Sequence, residues 1–199
     1  MSLTVDKCLQ AWTNSLRQMD AKAEIVFYGD SLTYYGDFSA VFPDKVVCNL
    51  GLRGDTLLGM IRRIEQVQLL RPETIYLMAG TNDVSNCPAK VFLERYDNLL
   101  KSLKKHLPLA RIIVQSLLPV NENDYSISCT NNRIVGCNVG IAALSIKYGI
   151  EFIDLYAHYQ IDGMLPKSMT VDGIHLISSG YNKWYSVLKE SVLLWQSKA

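Results

Sequence analysis

The sequence of 199 residues lacks the features of disulfide-bonded, zinc-bound or membrane-spanning proteins. Its five cysteines are an odd number and no pair has C-x-x-C spacing, so we expect reduced thiols rather than a disulfide framework. The three histidines stand far apart in the chain, which disfavours a zinc site. No apolar run approaches the roughly 20 residues that a helix needs to span a bilayer.

An excess of one charge sign is lacking as well. The chain carries 20 basic and 19 acidic residues without a basic stripe, so nucleic acid and anionic membrane surfaces are not expected as partners. The amino-terminal stretch MSLTVDKCLQAW does not have the basic-then-apolar layout of a signal peptide. We therefore expect a cytoplasmic protein; the alternative is an exported protein whose signal peptide is absent from this sequence.

A length of 199 residues with 49% hydrophobic content favours a single domain over residues 1–199 with a sizeable core. Short, almost continuously apolar runs alternate with longer helical patterns, which predicts a three-layer α/β fold with a five-stranded parallel sheet. Right-handed crossovers leave few topologies, and we expect the flavodoxin-like strand order 2-1-3-4-5. The predicted strands are 24–28, 45–49, 74–79, 111–116 and 151–155, and the predicted helices are 5–19, 55–70, 88–106, 131–148 and 178–196.

Polar or glycine-bearing segments follow four of the predicted strands. GDSL follows the first, NLGLRGDT the second and GTND the third, while VDGIHL lies beyond a longer connection after the fifth. The carboxyl ends of parallel strands share one edge of a sheet, and sites in such folds lie at that edge, where the winding reverses. We expect these segments to converge there, with Ser31 and Asn82 flanking the switch point.

Three side chains from these segments can form an activated nucleophile. A serine hydroxyl needs a base to take its proton, and histidine is the usual base near neutral pH. Asp172 precedes His175 by three residues, so on a tight turn its carboxylate can reach Nδ1 and leave Nε2 facing Ser31. Two alternatives stay open at this point: Ser31 as a helix N-cap without chemistry, and His158 as the base.

Attack on a carbonyl also requires hydrogen-bond donors for the oxyanion that forms. The predicted donors are the backbone N–H groups of Ser31 and Gly54 and the side-chain amide of Asn82. Gly54 has no side chain, so its amide can approach a substrate closely.

Neighbouring charged residues are expected to have structural roles. Asp55 and Asp83 are predicted to cap helices or brace loops, and Arg62 and Arg63 to form a solvated helix face. The NLGLRGDT segment also has the glycines of a phosphate-binding loop, but it lacks the Gly-Lys-Ser/Thr ending of a P-loop and the G-x-G-x-x-G spacing.

Taken together, the four segments resemble the sequence blocks of the SGNH, or GDSL, hydrolases. The matching blocks are GDSL at 29–32, Gly54 in NLGLRGDT, GTND at 80–83 and DGIHL at 172–176. With LLP at 117–119 they are most similar to the branch that contains the catalytic subunits of platelet-activating factor acetylhydrolase and many bacterial relatives.

The resemblance implies a flavodoxin-like sheet, with Ser31 as nucleophile, His175 as base and Asp172 as the acid that orients it. It implies the same oxyanion donors, Ser31, Gly54 and Asn82. It implies neither a metal nor an organic cofactor, and it leaves a homodimer open.

We expect a serine esterase that cleaves short-chain carboxylic esters, acetyl esters included, through an acyl-enzyme, on a carbohydrate or other small molecule. No long insertion that would form a lid is present, and tyrosines, among them Tyr35, Tyr156 and Tyr159, crowd the segments expected at the rim or pack in the core. The candidate substrate contacts are Asp30, Leu32, Tyr34 and Tyr125. The alternatives are a lysophospholipase or acyl-thioesterase with the same triad, and a non-catalytic flavodoxin-like domain that binds a ligand.

Overall fold

The structure is a computed structural model, and it describes residues 3–125 and 127–196. Strands and helices alternate along the chain, as the sequence predicts. The strands are β1 Ile25–Gly29, β2 Val47–Gly51, β3 Thr74–Met78, β4 Arg111–Gln115 and β5 Glu151–Ile153. The helices are α1 Leu3–Met19, α2 Ser31–Tyr34, α3 Leu57–Arg62, α4 Ile64–Leu70, α5 Thr81–Val84, α6 Ala89–His106, α7 Asn131–Tyr148, α8 Leu155–Tyr159 and α9 Ser178–Gln196.

The five strands form a parallel sheet in the order β2-β1-β3-β4-β5, which confirms the predicted topology. In the register, Gly29 at the end of β1 lies beside Gly51 of β2 and Met78 of β3. The winding reverses between β1 and β3, so the segments that follow these strands start at one edge of the sheet.

Helices cover both faces of the sheet, and two separate hydrophobic clusters result. Side chains alternate along β1: Val26 and Tyr28 pack into the cluster under α1, α3, α4, α6 and α7, whereas Ile25 and Phe27 pack into the cluster under α8 and α9. This double burial explains why the strands read as continuous apolar runs, and it makes the fold the expected three-layer α/β arrangement.

Most predicted boundaries lie within two residues of the observed ones, and α7 and α9 match their predicted ranges. The single helix predicted over 55–70 is wrong, because the chain bends at Arg63 and forms α3 and α4 instead. The fifth strand ends two residues earlier than predicted. There Asp154 caps α8, its side chain accepting a hydrogen bond from the Ala157 N–H.

No helix in the described part of the chain has both the length and the apolar character that crossing a membrane requires. Across the same residues, no three histidine, cysteine, aspartate or glutamate side chains are grouped so that they could hold a metal ion.

Candidate active site

Ser31 is the first residue of α2, directly after the turn that ends β1. Asp30 is the N-cap of this helix, and its Oδ1 accepts a hydrogen bond of 3.0 Å from the Leu32 N–H. A Cβ at Gly29 would lie 2.0 Å from Thr33 Oγ1 and 2.5 Å from the Met78 carbonyl oxygen, so only glycine fits there. Tight packing therefore fixes the backbone that carries Ser31.

His175 and Asp172 lie in one tight turn, which an antiparallel bridge between Thr170 and Leu176 closes just before α9. Asp172 Oδ2 lies 2.7 Å from His175 Nδ1. Asp172 Oδ1 accepts hydrogen bonds from the backbone N–H groups of Ile174, at 3.0 Å, and His175, at 2.8 Å. One carboxylate therefore holds both the ring and the backbone of the histidine.

The structure brings Ser31 and His175 together although 144 positions separate them in the chain. Ser31 Oγ lies 2.9 Å from His175 Nε2. His158, the alternative base, is exposed in α8, and His175 is the histidine that contacts Ser31. With Nδ1 bonded to Asp172, Nε2 is the ring nitrogen available to accept the serine proton.

Electrostatics keep Asp172 ionised. Partial burial opposes its ionisation, but the hydrogen bonds from the His175 ring, the His175 N–H and the Ile174 N–H outweigh burial and lower the pKa of the carboxyl below its ordinary value. A carboxylate in this state stabilises a positive charge on the histidine ring.

Thr170 supports the turn, a role that sequence reasoning missed. Its Oγ1 donates to the His175 carbonyl oxygen at 2.8 Å and accepts from the Gly173 N–H at 2.9 Å. Thr170 is buried, so these bonds are shielded from water. The available sequence signal is a hydroxyl residue two positions before Asp172. Because many loops have this spacing, it does not predict the role.

The three predicted oxyanion donors come from the segments that follow β1, β2 and β3. Gly54 has φ +70°, in the left-handed region that favours glycine, and a Cβ there would meet no atom within 4 Å. Asn82 Nδ2 donates to the Asp55 carbonyl oxygen at 2.8 Å, which links the segments after β2 and β3. Among the described residues, no protein acceptor bonds the backbone N–H of Ser31 or Gly54.

Arg63 is buried, which corrects the prediction that it lies on a solvated helix face. Its Nε lies 2.6 Å from Asp55 Oδ2, and its two terminal nitrogens donate to the carbonyl oxygens of Leu50 and Gly29. The guanidinium also stacks over the Tyr28 ring at 4.5 Å. Arg63 thus ties the ends of β1 and β2 together, and the bend between α3 and α4 lets it turn inward.

The predicted bracing roles of Asp55 and Asp83 agree with the structure. Asp55 pairs with Arg63, and Asp83 Oδ2 accepts from the N–H of Leu57, the first residue of α3, at 2.9 Å. Asp83 Oδ1 lies 3.2 Å from an Arg95 nitrogen. These carboxylates stabilise the loops around the site instead of facing a substrate.

Two of the four predicted substrate contacts do not fit the structure. Asp30 and Leu32 are each only 1% exposed, because Asp30 caps α2 and Leu32 packs into the core with α9. Their side chains therefore lie inside the protein, where a substrate does not reach them. Tyr34 is 50% exposed and packs edge to face against Tyr35, and Tyr125 contacts Gly173 in the Asp172 turn.

An open groove of about 620 Å³ runs beside His175. It is lined by Tyr35, Arg53, Val171, Asp172, His175, Leu176, Ile177, Ser178 and Tyr181. Tyr35 contacts the His175 ring edge to face, with 5.9 Å between ring centroids. Two other tyrosines that the sequence analysis considered for the rim of the site bond to the protein instead. Tyr159 is buried and donates to the Gly180 carbonyl oxygen, and Tyr156 donates to the Gly163 carbonyl oxygen.

Residues 27–183 match the model of the GDSL-like lipase/acylhydrolase family. The chain belongs to this family. Its members are lipases and acylhydrolases, so the family supports hydrolysis of ester bonds in general. A comparison with curated proteins finds no match.

Solved structures share the fold over nearly the whole chain. A protein from Streptococcus pneumonia described as a platelet activating factor has a TM-score of 0.79 and 24% identity, covering 96% of this chain and 99% of its own. A GDSL-like lipase from Bacteroides thetaiotaomicron has a TM-score of 0.76 and 20% identity, covering 94% and 96%. A lipase/acylhydrolase from Enterococcus faecalis has a TM-score of 0.72 and 21% identity, covering 84% and 94%.

Proposed function

We propose that this GDSL-family protein is a serine esterase in which Ser31 is the nucleophile, His175 the general base and Asp172 the residue that orients it. The observation that carries the proposal is the continuous chain of contacts: 2.9 Å from Ser31 Oγ to His175 Nε2, and 2.7 Å from His175 Nδ1 to Asp172 Oδ2. The first distance suits transfer of the serine proton to the histidine, and the second suits a hydrogen bond that orients the histidine ring.

In the first half of the reaction, Ser31 Oγ bonds to the carbonyl carbon of the ester while its proton passes to His175 Nε2. Asp172 stabilises the imidazolium that forms. The bond to the alcohol oxygen then breaks, and the alcohol leaves with the proton from Nε2. In the second half, water gives a proton to Nε2 and attacks the acyl-enzyme, and Ser31 regains its proton as the acid departs.

The oxyanion would be bound by the N–H groups of Ser31 and Gly54 and by the Asn82 side chain. An amide nitrogen carries two hydrogens, so Asn82 can bond the Asp55 carbonyl with one and the oxyanion with the other. In this role the Asp55 contact orients the donor before the substrate arrives, which is what makes such donors effective.

The substrate we propose is a short-chain ester, acetyl esters included, of a carbohydrate or other small molecule. The groove beside His175 is open and mixes tyrosine, charged and aliphatic side chains, which suits a compact polar ester better than a long acyl chain. The exposed rings of Tyr34 and Tyr35 offer apolar faces with polar hydroxyls.

A panel of p-nitrophenyl esters tests this proposal, with wild type and Ser31→Ala compared on acetate, butyrate and octanoate. We expect the acetate or butyrate to have the highest kcat/KM, and Ser31→Ala to hydrolyse none of them. Octanoate turning over much faster than acetate would favour a lysophospholipase or acyl-thioesterase. Hydrolysis that survives in Ser31→Ala would contradict the serine mechanism.

A further inference from the structure

Arg53 lines the groove beside His175, and the esterase mechanism gives it no role. It lies in the turn between β2 and α3, one residue before Gly54. The groove's acidic side chain, Asp172, is bonded to the His175 ring and to two backbone N–H groups. Among the described residues no ion pair joins Arg53 to Asp172, so the guanidinium remains open to another anion.

The Arg53 guanidinium is held over an aromatic ring. Its central carbon lies 5.7 Å from the centroid of Tyr35, and Tyr35 in turn packs edge to face against His175. Stacking on a ring positions a guanidinium and leaves its N–H groups free in their plane. Those N–H groups form a fork that matches carboxylate and phosphate oxygens.

Most arginines in the described chain already have a protein acceptor. Those with a carboxylate or carbonyl partner are Arg17 with Glu65, Arg63 with Asp55, Arg71 with Asp20, Arg95 with Asp83, Arg111 with Glu151 and Arg133 with the Cys87 carbonyl. Arg53 and Arg62 have no such partner among the described residues, and Arg62 lies on α3 outside this groove. Arg53 is therefore the arginine in this groove whose N–H donors are available to a ligand.

The turn that carries Arg53 is well anchored. The Leu52 N–H donates to the Gly29 carbonyl oxygen at 3.1 Å, and the Asp55 N–H donates to the Leu52 carbonyl oxygen at 3.2 Å. The Asn82 side-chain amide donates to the Asp55 carbonyl oxygen at 2.8 Å. An anchored backbone reduces the entropy lost when Arg53 binds a ligand.

We propose that Arg53 binds a negatively charged oxygen group, a carboxylate or a phosphate, carried by the ester substrate, with Tyr35 positioning the guanidinium. This assignment rests on the proposed function, since it places the anion beside the serine that is attacked. The substrate class becomes anionic short-chain esters, and Arg53 is the residue that selects them over neutral esters.

Two matched substrate pairs test whether the protein selects anionic esters and on which side of the ester bond the charge is bound. Monoethyl succinate against ethyl butyrate places the charge on the acyl side, and 4-acetoxybenzoate against 4-acetoxybenzamide places it on the alcohol side. Wild type is expected to prefer the charged member of one pair. In Arg53→Gln we expect that preference to fall about tenfold, the size of one charge-assisted hydrogen bond, through a higher KM. Arg53→Lys should keep part of it.

Arg62→Gln is the matched control, because it removes the same charge from outside the groove, and its preference should equal that of wild type. Equal preferences in Arg53→Gln and wild type would overturn the proposal. So would an equal loss in Arg53→Gln and Arg62→Gln, which would point to the net charge of the protein.

Calorimetry with benzoate and phenyl phosphate separates this proposal from the esterase proposal, because it needs no turnover. The proposal is supported if the affinity for either anion falls about tenfold in Arg53→Gln and is unchanged in Arg62→Gln. This holds even if the protein hydrolyses no ester. The stronger of the two ligands identifies the anion. Ester hydrolysis without binding of either anion would contradict the Arg53 site and leave the esterase proposal standing.

Discussion

The turn that carries Ser31 lies inside the protein, whereas the turn that carries His175 lies at its surface. Asp30 and Thr33, on either side of Ser31 and Leu32, are 1% and 2% exposed. The side chains of His175 and Asp172 are 32% and 49% exposed. The two halves of the candidate triad are therefore held in place by different physical interactions.

Packing and buried hydrogen bonds hold the serine turn. The Asn49 side-chain amide donates to the carbonyl oxygens of Thr33 and Gly36, and Tyr181 donates to that of Leu32. The histidine turn is held by the Asp172 and Thr170 hydrogen bonds and by the Asn121 N–H, which donates to the Gly173 carbonyl oxygen at 2.8 Å. Changes near the serine should therefore affect folding as well as activity, while changes in the histidine turn should affect activity far more than folding.

The largest effect is expected from Ser31→Ala and His175→Ala, because in the proposed mechanism the two residues act as one unit. Each change should lower kcat by about 10⁴-fold or more on a short-chain p-nitrophenyl ester. Urea unfolding of His175→Ala should differ from wild type by less than about 1 kcal/mol, since the side chain is partly exposed. Near-full activity of His175→Ala would contradict the role of His175 as the base.

Asp172→Asn should lower kcat by about 10³- to 10⁴-fold, because an amide no longer stabilises the imidazolium and favours the wrong ring tautomer. Steady-state kinetics measure this loss. Asp44→Asn is the matched control, since Asp44 is exposed beside the amino ends of the strands, at the opposite edge of the sheet. A similar loss in both variants would contradict a specific role for Asp172.

Arg63→Met probes the buried hydrogen bonds beneath the serine turn. It leaves Asp55 buried without its partner, so we expect a loss of about 3–5 kcal/mol in the free energy of unfolding. Arg62→Met, one residue earlier and exposed, should stay within about 0.5 kcal/mol of wild type. Adding Asp55→Asn to Arg63→Met should recover part of the loss. Equal stability of the two single variants would contradict the structural role of the buried pair.

Asp30→Asn tests the pH dependence of the serine turn. Burial raises the pKa of Asp30 from its ordinary value of 3.8 to about 6, although the Leu32 N–H partly offsets this. The folded state then binds more protons than the unfolded state between these values, so stability falls as the pH rises through this window. The total effect is up to about 3 kcal/mol.

In Asp30→Asn the amide can still cap α2 and carries no charge, so the fall in stability between pH 4 and 7 should be smaller by that amount. Urea unfolding across this range measures the difference. An unchanged pH profile would show that Asp30 is not the group that titrates.

The sequence predicted the sheet well, because doubly buried strands leave a signal that needs no knowledge of distant contacts. Runs such as EIVFY and TIYLMA are apolar on both faces, and the polar segments follow directly after them. The helices at Asn131–Tyr148 and Ser178–Gln196 match their predicted ranges, and Gly149, in the left-handed region, ends the first of them.

The features that the sequence did not reveal depend on contacts between distant residues. Arg62 and Arg63 are adjacent and chemically identical, and only the position of Asp55 and of two strand-end carbonyls decides which of them is buried. Likewise, Leu32 follows the serine directly, yet the direction of α2 turns it into the core.

Covalent labelling of the serine tests the central claim most directly. An organic fluorophosphonate bonds to a serine that a neighbouring histidine has activated and releases fluoride. We predict one adduct per chain by intact mass, on the peptide that contains Ser31, no adduct in Ser31→Ala and much slower labelling in His175→Ala. An adduct on another residue, or ester hydrolysis by a protein that resists labelling at Ser31, would contradict the account.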